Sequence, residues 1–200
     1  MSFENPINYV AKEPTSRVAR RRLRMRETLL EVGARQFCAR GISSVSVEDL
    51  LIEADISRAT FYSIFSSKNN LLEFILNPLF DILVRKITPL VNLPAKKAFD
   101  SITEIYIDVW LTNRDGLLLI SLEDIEACEQ FSSKYTGLYE GLLSVLVNAE
   151  KENLLLNGSA HYSMRILVTT AIQLLKIYED HPDGETLFRN TMRKLIFGRD

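Results

Sequence analysis

Apolar residues recur at three- and four-residue steps along most of the chain, and no segment alternates with period two for long enough to define a strand. Leu29, Gly33 and Phe37 fall on one face with Leu30 beside them, which predicts a helix over 16–40. A glycine inside a helix costs about 1 kcal/mol relative to alanine, so Gly33 points to a closely packed neighbour. Gly41 follows Arg40 as a left-handed stop after a cation in the last turn. Ser46 and Asp49 have the spacing of a capping box and open a second helix with Leu50 and Leu51 on its apolar face. Ala54-Asp55-Ile56 reads as a turn, because Asp tolerates a left-handed backbone. Ser57 caps a third helix running to about Phe65, and Ser67 caps a fourth that starts at Lys68.

The remainder is helical too. The span 71–91 is apolar-periodic, with Pro78 expected to bend it or end its first part. Pro94 opens a helix through Asn113, Asn113-Arg114-Asp115-Gly116 signals a turn, and 117–128 forms a short helix. A long helix starts at Ser132 or Ser133 and reaches about Asn153. After a break at Asn157-Gly158 comes an apolar helix over 160–179, then a break at His181–Gly184 and a last helix over 185–197. The expected class is all-α, about nine helices, three small ones followed by longer ones. Residues 1–16, with Pro6 and Pro14 and no clear period, read as a mobile arm.

Charge changes this picture. The 200 residues carry a net charge of -2, but unevenly. From Lys12 to Arg40 nine Lys/Arg stand against three Asp/Glu, a local +6; from Leu76 onward thirteen stand against seventeen, a local -4. A basic N-terminal portion on an acidic body suggests that one region meets phosphates and the other does not. The length suffices for a sizeable core. The N-terminus lacks the apolar stretch of a secretory signal, and no apolar run is long enough to span a bilayer, so a soluble cytoplasmic protein is expected.

The span 46–68 then carries the candidate chemistry. Phe61 and Phe65, four apart, read as core and leave Arg58, Ala59, Thr60, Tyr62 and Ser63 on the outside of a short helix able to enter a DNA major groove. Arg58 can pair bidentately with guanine O6 and N7 or hold a phosphate, and the Ala59 methyl can meet a thymine methyl. Ser46, Ser57, Ser67 and Lys68 mark helix N-termini, where amides, dipole and cation attract phosphate. Arg22 and Arg24, within the run from Arg17 to Arg26, suit the backbone or the minor groove. The plain alternative for each is a solvated polar surface.

Catalysis finds little support. His161 and His181 stand at helix starts or breaks, no Cys/His cluster has metal spacing, and there is no phosphate-cradling glycine loop. Carboxylate pairs such as Glu48-Asp49 and Glu123-Asp124 point to different helix faces. Cys38 and Cys128 make no disulfide framework and read as buried or half-buried thiols rather than a redox pair. No cofactor and no metal are expected.

The span 29–72 resembles the DNA-binding region of TetR-family transcriptional regulators. The resemblance rests on Phe37, Gly41, Ser46-Val47, Leu50, Ala54, Ile56, Ser57, Thr60, Tyr62, Phe65, Ser67, Lys68 and Leu71. Departures from the family pattern are Gln36, Leu51, Asp55, Ala59, Ser63, Ile64 and Ser66, several of them on the reading helix. The resemblance implies a DNA-binding domain over 17–68 and a ligand-sensing, dimerising domain over 69–200. It further implies a homodimer on a near-palindromic operator, with repression relieved by a small effector. The helix 160–179 is apolar on more than one side, so pairing of it and 185–197 with their copies would build a four-helix interface. Ile172, Leu175, Phe188, Met192 and Leu195 are its candidate residues, and internal core is the alternative. Tyr106, Trp110, Asn113 and Tyr139 are pocket candidates, with Glu123 and Cys128 near in sequence, for a mostly hydrophobic ligand. Two rival readings stay open: a DNA-bound regulator or nucleoid-associated protein that senses nothing and acts through a protein partner, and an enzyme of a helical-bundle class.

Overall fold

A computed structural model describes residues 16–121 and 129–198. The expectations for the arm, for the helical segment beyond 121, and for Glu123 and Cys128 lie outside the described residues. Among those described there are nine α-helices and no strand. In chain order they are α1 (Arg17–Arg40), α2 (Val47–Ala54), α3 (Arg58–Ile64), α4 (Lys68–Ile87), α5 (Ala95–Thr112), α6 (Arg114–Ile120), α7 (Glu129–Lys151), α8 (Ala160–Tyr178) and α9 (Gly184–Phe197), with a 3-10 turn at Thr88–Asn92 after α4. The chain divides into two compact units, Met1–Leu79 with Asp115–Ile125, and Phe80–Arg114 with Glu126–Asp200.

Local chemistry sets the boundaries in the first unit. Ser16 caps α1 by accepting from the Ala19 amide at 3.1 Å, and Gly41 stops it at φ 80°, its amide donating to the Phe37 carbonyl. At the start of α2 the Ser46 hydroxyl accepts from the Asp49 amide at 3.1 Å while the Asp49 carboxylate accepts from the Ser46 amide at 2.8 Å. Asp55 ends α2 in the left-handed region, at φ 50° and ψ 51°. Gly33 lies against α4: a Cβ there would sit 3.0 Å from Leu71 Cδ2 and 3.2 Å from Ile75 Cδ1. Leu29, Phe37, Leu50, Phe61, Phe65, Leu71 and Leu72 are buried together in this unit's core. The Cys38 thiol, half-buried, donates to the Asp115 carbonyl at 3.2 Å and ties α6 to α1.

Two expectations need correction. Pro78 neither ends nor divides α4, which runs unbroken from Lys68 to Ile87. Pro78 and Phe74, four residues earlier, are both exposed, where water can serve the carbonyl that a proline leaves without a donor. The expected turn at 113–116 is a single residue, Asn113; Arg114, Asp115 and Gly116 form the first turn of α6.

In the second unit α5, α7, α8 and α9 enclose a core containing Phe99, Phe131, Leu146, Leu167 and Phe188. Phe80 stacks on Phe131 at 5.7 Å and Phe99 meets Phe197 edge-on at 5.1 Å. Arg193 of α9 holds both carboxylate oxygens of Asp100 of α5 at 2.9 Å. One turn away Arg189 bonds Glu104 and Glu185, which raises its already high pKa, Glu104 contributing most.

Candidate nucleic-acid interface

The short helix α3 is fixed from behind. Phe61 is fully buried, the Phe65 ring stands 6.0 Å from it, and Phe74 closes on Phe65 at 5.5 Å. The Arg26 guanidinium lies 4.7 Å over the outer Phe74 ring, a cation–π contact that joins the basic end of α1 to this aromatic row. With its aromatic side anchored, α3 turns Arg58, Ala59, Tyr62 and Ser63 to solvent and leaves Thr60 half-exposed. Tyr62 keeps 48% of its surface accessible although its ring touches Phe61 edge-on at 5.3 Å. Tyrosine in that setting presents an aromatic body and a hydroxyl outward.

The hydroxyls of α3 satisfy its own backbone. Ser57 Oγ accepts from the Thr60 amide at 3.2 Å and lies 2.9 Å from Thr60 Oγ1, while Ser63 Oγ donates to the Thr60 carbonyl at 2.7 Å. Ser67 accepts from the Asn70 amide at 3.0 Å at the start of α4. Ser46 is occupied by its capping box, which holds the Asp49 carboxyl at about 2, below its ordinary value. The Ser46 hydroxyl is the main cause, then its amide, then Arg40.

Lys68 has a different setting from the one its sequence position suggested. Its ammonium is half-buried and donates to the Ile42 carbonyl at 2.8 Å and to the Val45 carbonyl at 2.7 Å. It therefore closes the α1–α2 loop against the start of α4, and two of its three donors are engaged inside the protein. Arg22 Nη2 donates to the Ser63 carbonyl at the end of α3, whereas Arg24 is exposed on α1.

Three ion pairs escaped the reading of periodicity and caps. Arg58 of α3 pairs with Glu48 of α2. Arg35 and Gln36 of α1 both bond Glu53 of α2, which raises the Arg35 pKa. Arg40 pairs with Asp49 at 3.2 Å. The partners are separated by nine or more positions, so no helical spacing signals them.

In the second unit the pocket candidates stand apart in character. The Tyr106 hydroxyl end is pushed up to about 12, by burial first and then by Tyr135, and its ring lies 6.5 Å from Phe188. Tyr135 was not among the candidates. Trp110 is buried beneath the Arg114 guanidinium, 4.5 Å from its ring, and Asn113 and Tyr139 are half-buried. The interface candidates need correction. Phe188 and Met192 are fully buried within the protomer, and Ile172 and Leu175 nearly so, because α8 and α9 turn these side chains onto their own core; only Leu195 keeps appreciable surface. The apolar residues that α8 leaves exposed include Tyr162 and Ile177, at 63% and 69%.

A buried-aromatic anchor, a left-handed turn and a polar outward flank on the second of the two short helices are the build of a helix-turn-helix. Residues 29–75 match the family described as "Bacterial regulatory proteins, tetR family". The ketosteroid transcriptional regulator KstR2 of Mycobacterium tuberculosis shares the fold at TM-score 0.71 and 17% identity, over 95% of this chain and 100% of that one. The probable transcriptional regulatory protein RHA5900 does so at TM-score 0.71 and 22% identity, over 88% and 98%. PfmR of Thermus thermophilus, a TetR family transcriptional regulator, does so at 0.64 and 18%, over 86% and 98%. No curated protein matches the sequence. The family match covers the N-terminal segment 29–75, and the likeness to these solved regulators extends the shared fold over most of the chain. No described helix is long and apolar enough to cross a membrane.

Proposed function

We propose that this regulator is a cytoplasmic homodimeric repressor. Its two α3 helices read successive major grooves of a near-palindromic operator, and a small, mostly apolar ligand in the 69–200 domain lowers its affinity. The observation that carries the reading is the outward flank of α3: Arg58, Ala59, Tyr62 and Ser63 are exposed while Phe61 and Phe65 are sealed behind them. Phosphate contacts from Arg22, Arg24 and the capped helix starts at Ser46, Ser57 and Ser67 would set register, and α3 would supply sequence readout. Half-sites about 34–36 Å apart, or somewhat more, follow from pairing two such units.

Tyr162, Ile166 and Ile177 share one side of α8, and Leu187 and Leu195 flank the buried stripe of α9; all five retain surface. These residues replace Phe188 and Met192 as the proposed dimer contacts. Around Tyr106 and Trp110, an apolar wall with the neutral phenol of Tyr106 suits a ligand with few polar points. Such a ligand acts by preferring one of two dimer conformations, which shifts the population able to bind DNA.

The test is selection of bound duplexes from a random pool, followed by titration of the selected duplex in the presence of apolar metabolites. A near-palindromic consensus and release by at least one compound are expected. A consensus without any releasing compound would favour a regulator that acts through a protein partner. Failure to retain any duplex in dilute buffer would remove the DNA-binding reading.

A further inference from the structure

The segment Val47–Ala54 contains three carboxylates and no cation. Each carboxylate has a specific partner, and the partners differ in kind. Asp49 pairs with Arg40 and Glu53 with Arg35 and Gln36, all on α1, so these two acids fasten α2 to the body of the domain. Glu48 instead turns toward α3 and pairs with Nη2 of Arg58, the one cation of the recognition helix. Both partners stay open to solvent, at 63% and 54% of side-chain surface, so the pair lies on the surface α3 would present to DNA.

An arginine there has two competing uses. A guanidinium binds phosphate irrespective of sequence, or it forks onto the O6 and N7 of guanine. A neighbouring carboxylate shifts that choice. It repels phosphate oxygens and accepts one edge of the five-donor guanidinium, fixing the plane in which the remaining donors project. The neutral guanine edge carries no net charge for Glu48 to repel. We propose that Glu48 is a specificity-determining positioning residue, which withholds Arg58 from the phosphate backbone and delivers it to a base edge. The inference rests on the reading of α3 as the helix that enters the groove.

The test compares full-length wild type, Glu48→Gln and Glu53→Gln on the duplex selected from the random pool and on a scrambled duplex, across a salt series. Glu53→Gln removes the same charge from the same helix but leaves Arg58 paired. Glu48→Gln is expected to bind the scrambled duplex roughly two- to five-fold more tightly, the range an exposed ion pair is worth. Its dependence of log K on log salt should steepen by roughly 0.9, one added phosphate contact. Discrimination between the two duplexes should fall, and in an Arg58→Ala background the extra effect of Glu48→Gln over Glu53→Gln should vanish. Equal behaviour of the two glutamine variants, or an effect that survives in Arg58→Ala, overturns the assignment while leaving α3 as the reader. Wild type that binds no duplex overturns the DNA-binding reading, and this inference with it.

Discussion

The outward sides of α3 and α8 are built from opposite chemistry. On α3 the exposed residues are a cation, a phenol and small or hydroxylic groups, and the Arg58 guanidinium and the Ser63 hydroxyl already have partners, on α2 and within the helix. On α8 the exposed side includes Tyr162 and Ile177, whose apolar surface gains nothing from water. A polar surface that is already satisfied can bind only by exchanging partners, so its gain is specific and small per contact. An apolar surface gains about 25 cal/mol per Å² covered, whatever the shape of the polar groups around it. The first suits reading a sequence, the second suits permanent association with a copy.

The contrast breaks most readily at the cores behind the two surfaces. Phe61→Ala and Phe188→Ala should each cost about 3–5 kcal/mol in denaturant unfolding, since both rings are fully buried. The loss in Phe188→Ala should not depend on protein concentration, because its ring packs within its own protomer beside Tyr106. A loss that disappears at high concentration would return Phe188 to an interface between copies.

The surface of α8 is tested by Ile177→Asp. Burying an isoleucine is worth about 1.5–3 kcal/mol, and a two-fold axis counts it twice, so the dimer dissociation constant in sedimentation should rise by more than about ten-fold. Helical content should stay that of wild type. An unchanged dissociation constant would place the contact elsewhere.

The sequence made the first unit legible because its determinants are local. Caps at Ser46, Ser57 and Ser67, the left-handed Asp55 and the close approach at Gly33 each depend on residues a few positions apart or on one missing side chain. The engagement of Lys68 with Ile42 and Val45, and of Glu48 with Arg58, depends on how loops and helices meet, which no periodicity records. The apolar character of α8 and α9 was equally visible. An apolar stripe, however, looks the same whether it faces the chain's own core or a copy, and Phe188 and Met192 face the former.

The smallest expected effect concerns the cap of α2. The Asp49 carboxyl stands at about 2 against an ordinary 3.8. A carboxyl depressed on folding contributes stability that is present above pH 3.8 and is lost as pH falls from there through 2. Asp49→Asn should therefore melt below wild type at neutral pH, with the gap closing across that window. A gap independent of pH would assign the effect to shape rather than charge.

The central claim is that the free flank of α3 reads base edges. It is tested most directly by titrating wild type, Arg58→Ala and Tyr62→Ala against the selected duplex and a scrambled one in a mobility-shift experiment. A lost bidentate base contact is worth about 1–3 kcal/mol, so Arg58→Ala should lose roughly 5- to 150-fold affinity for the selected duplex and far less for the scrambled one. Tyr62→Ala should weaken the selected complex in the same sense. Affinity for the selected duplex that is unchanged in both variants would contradict the account.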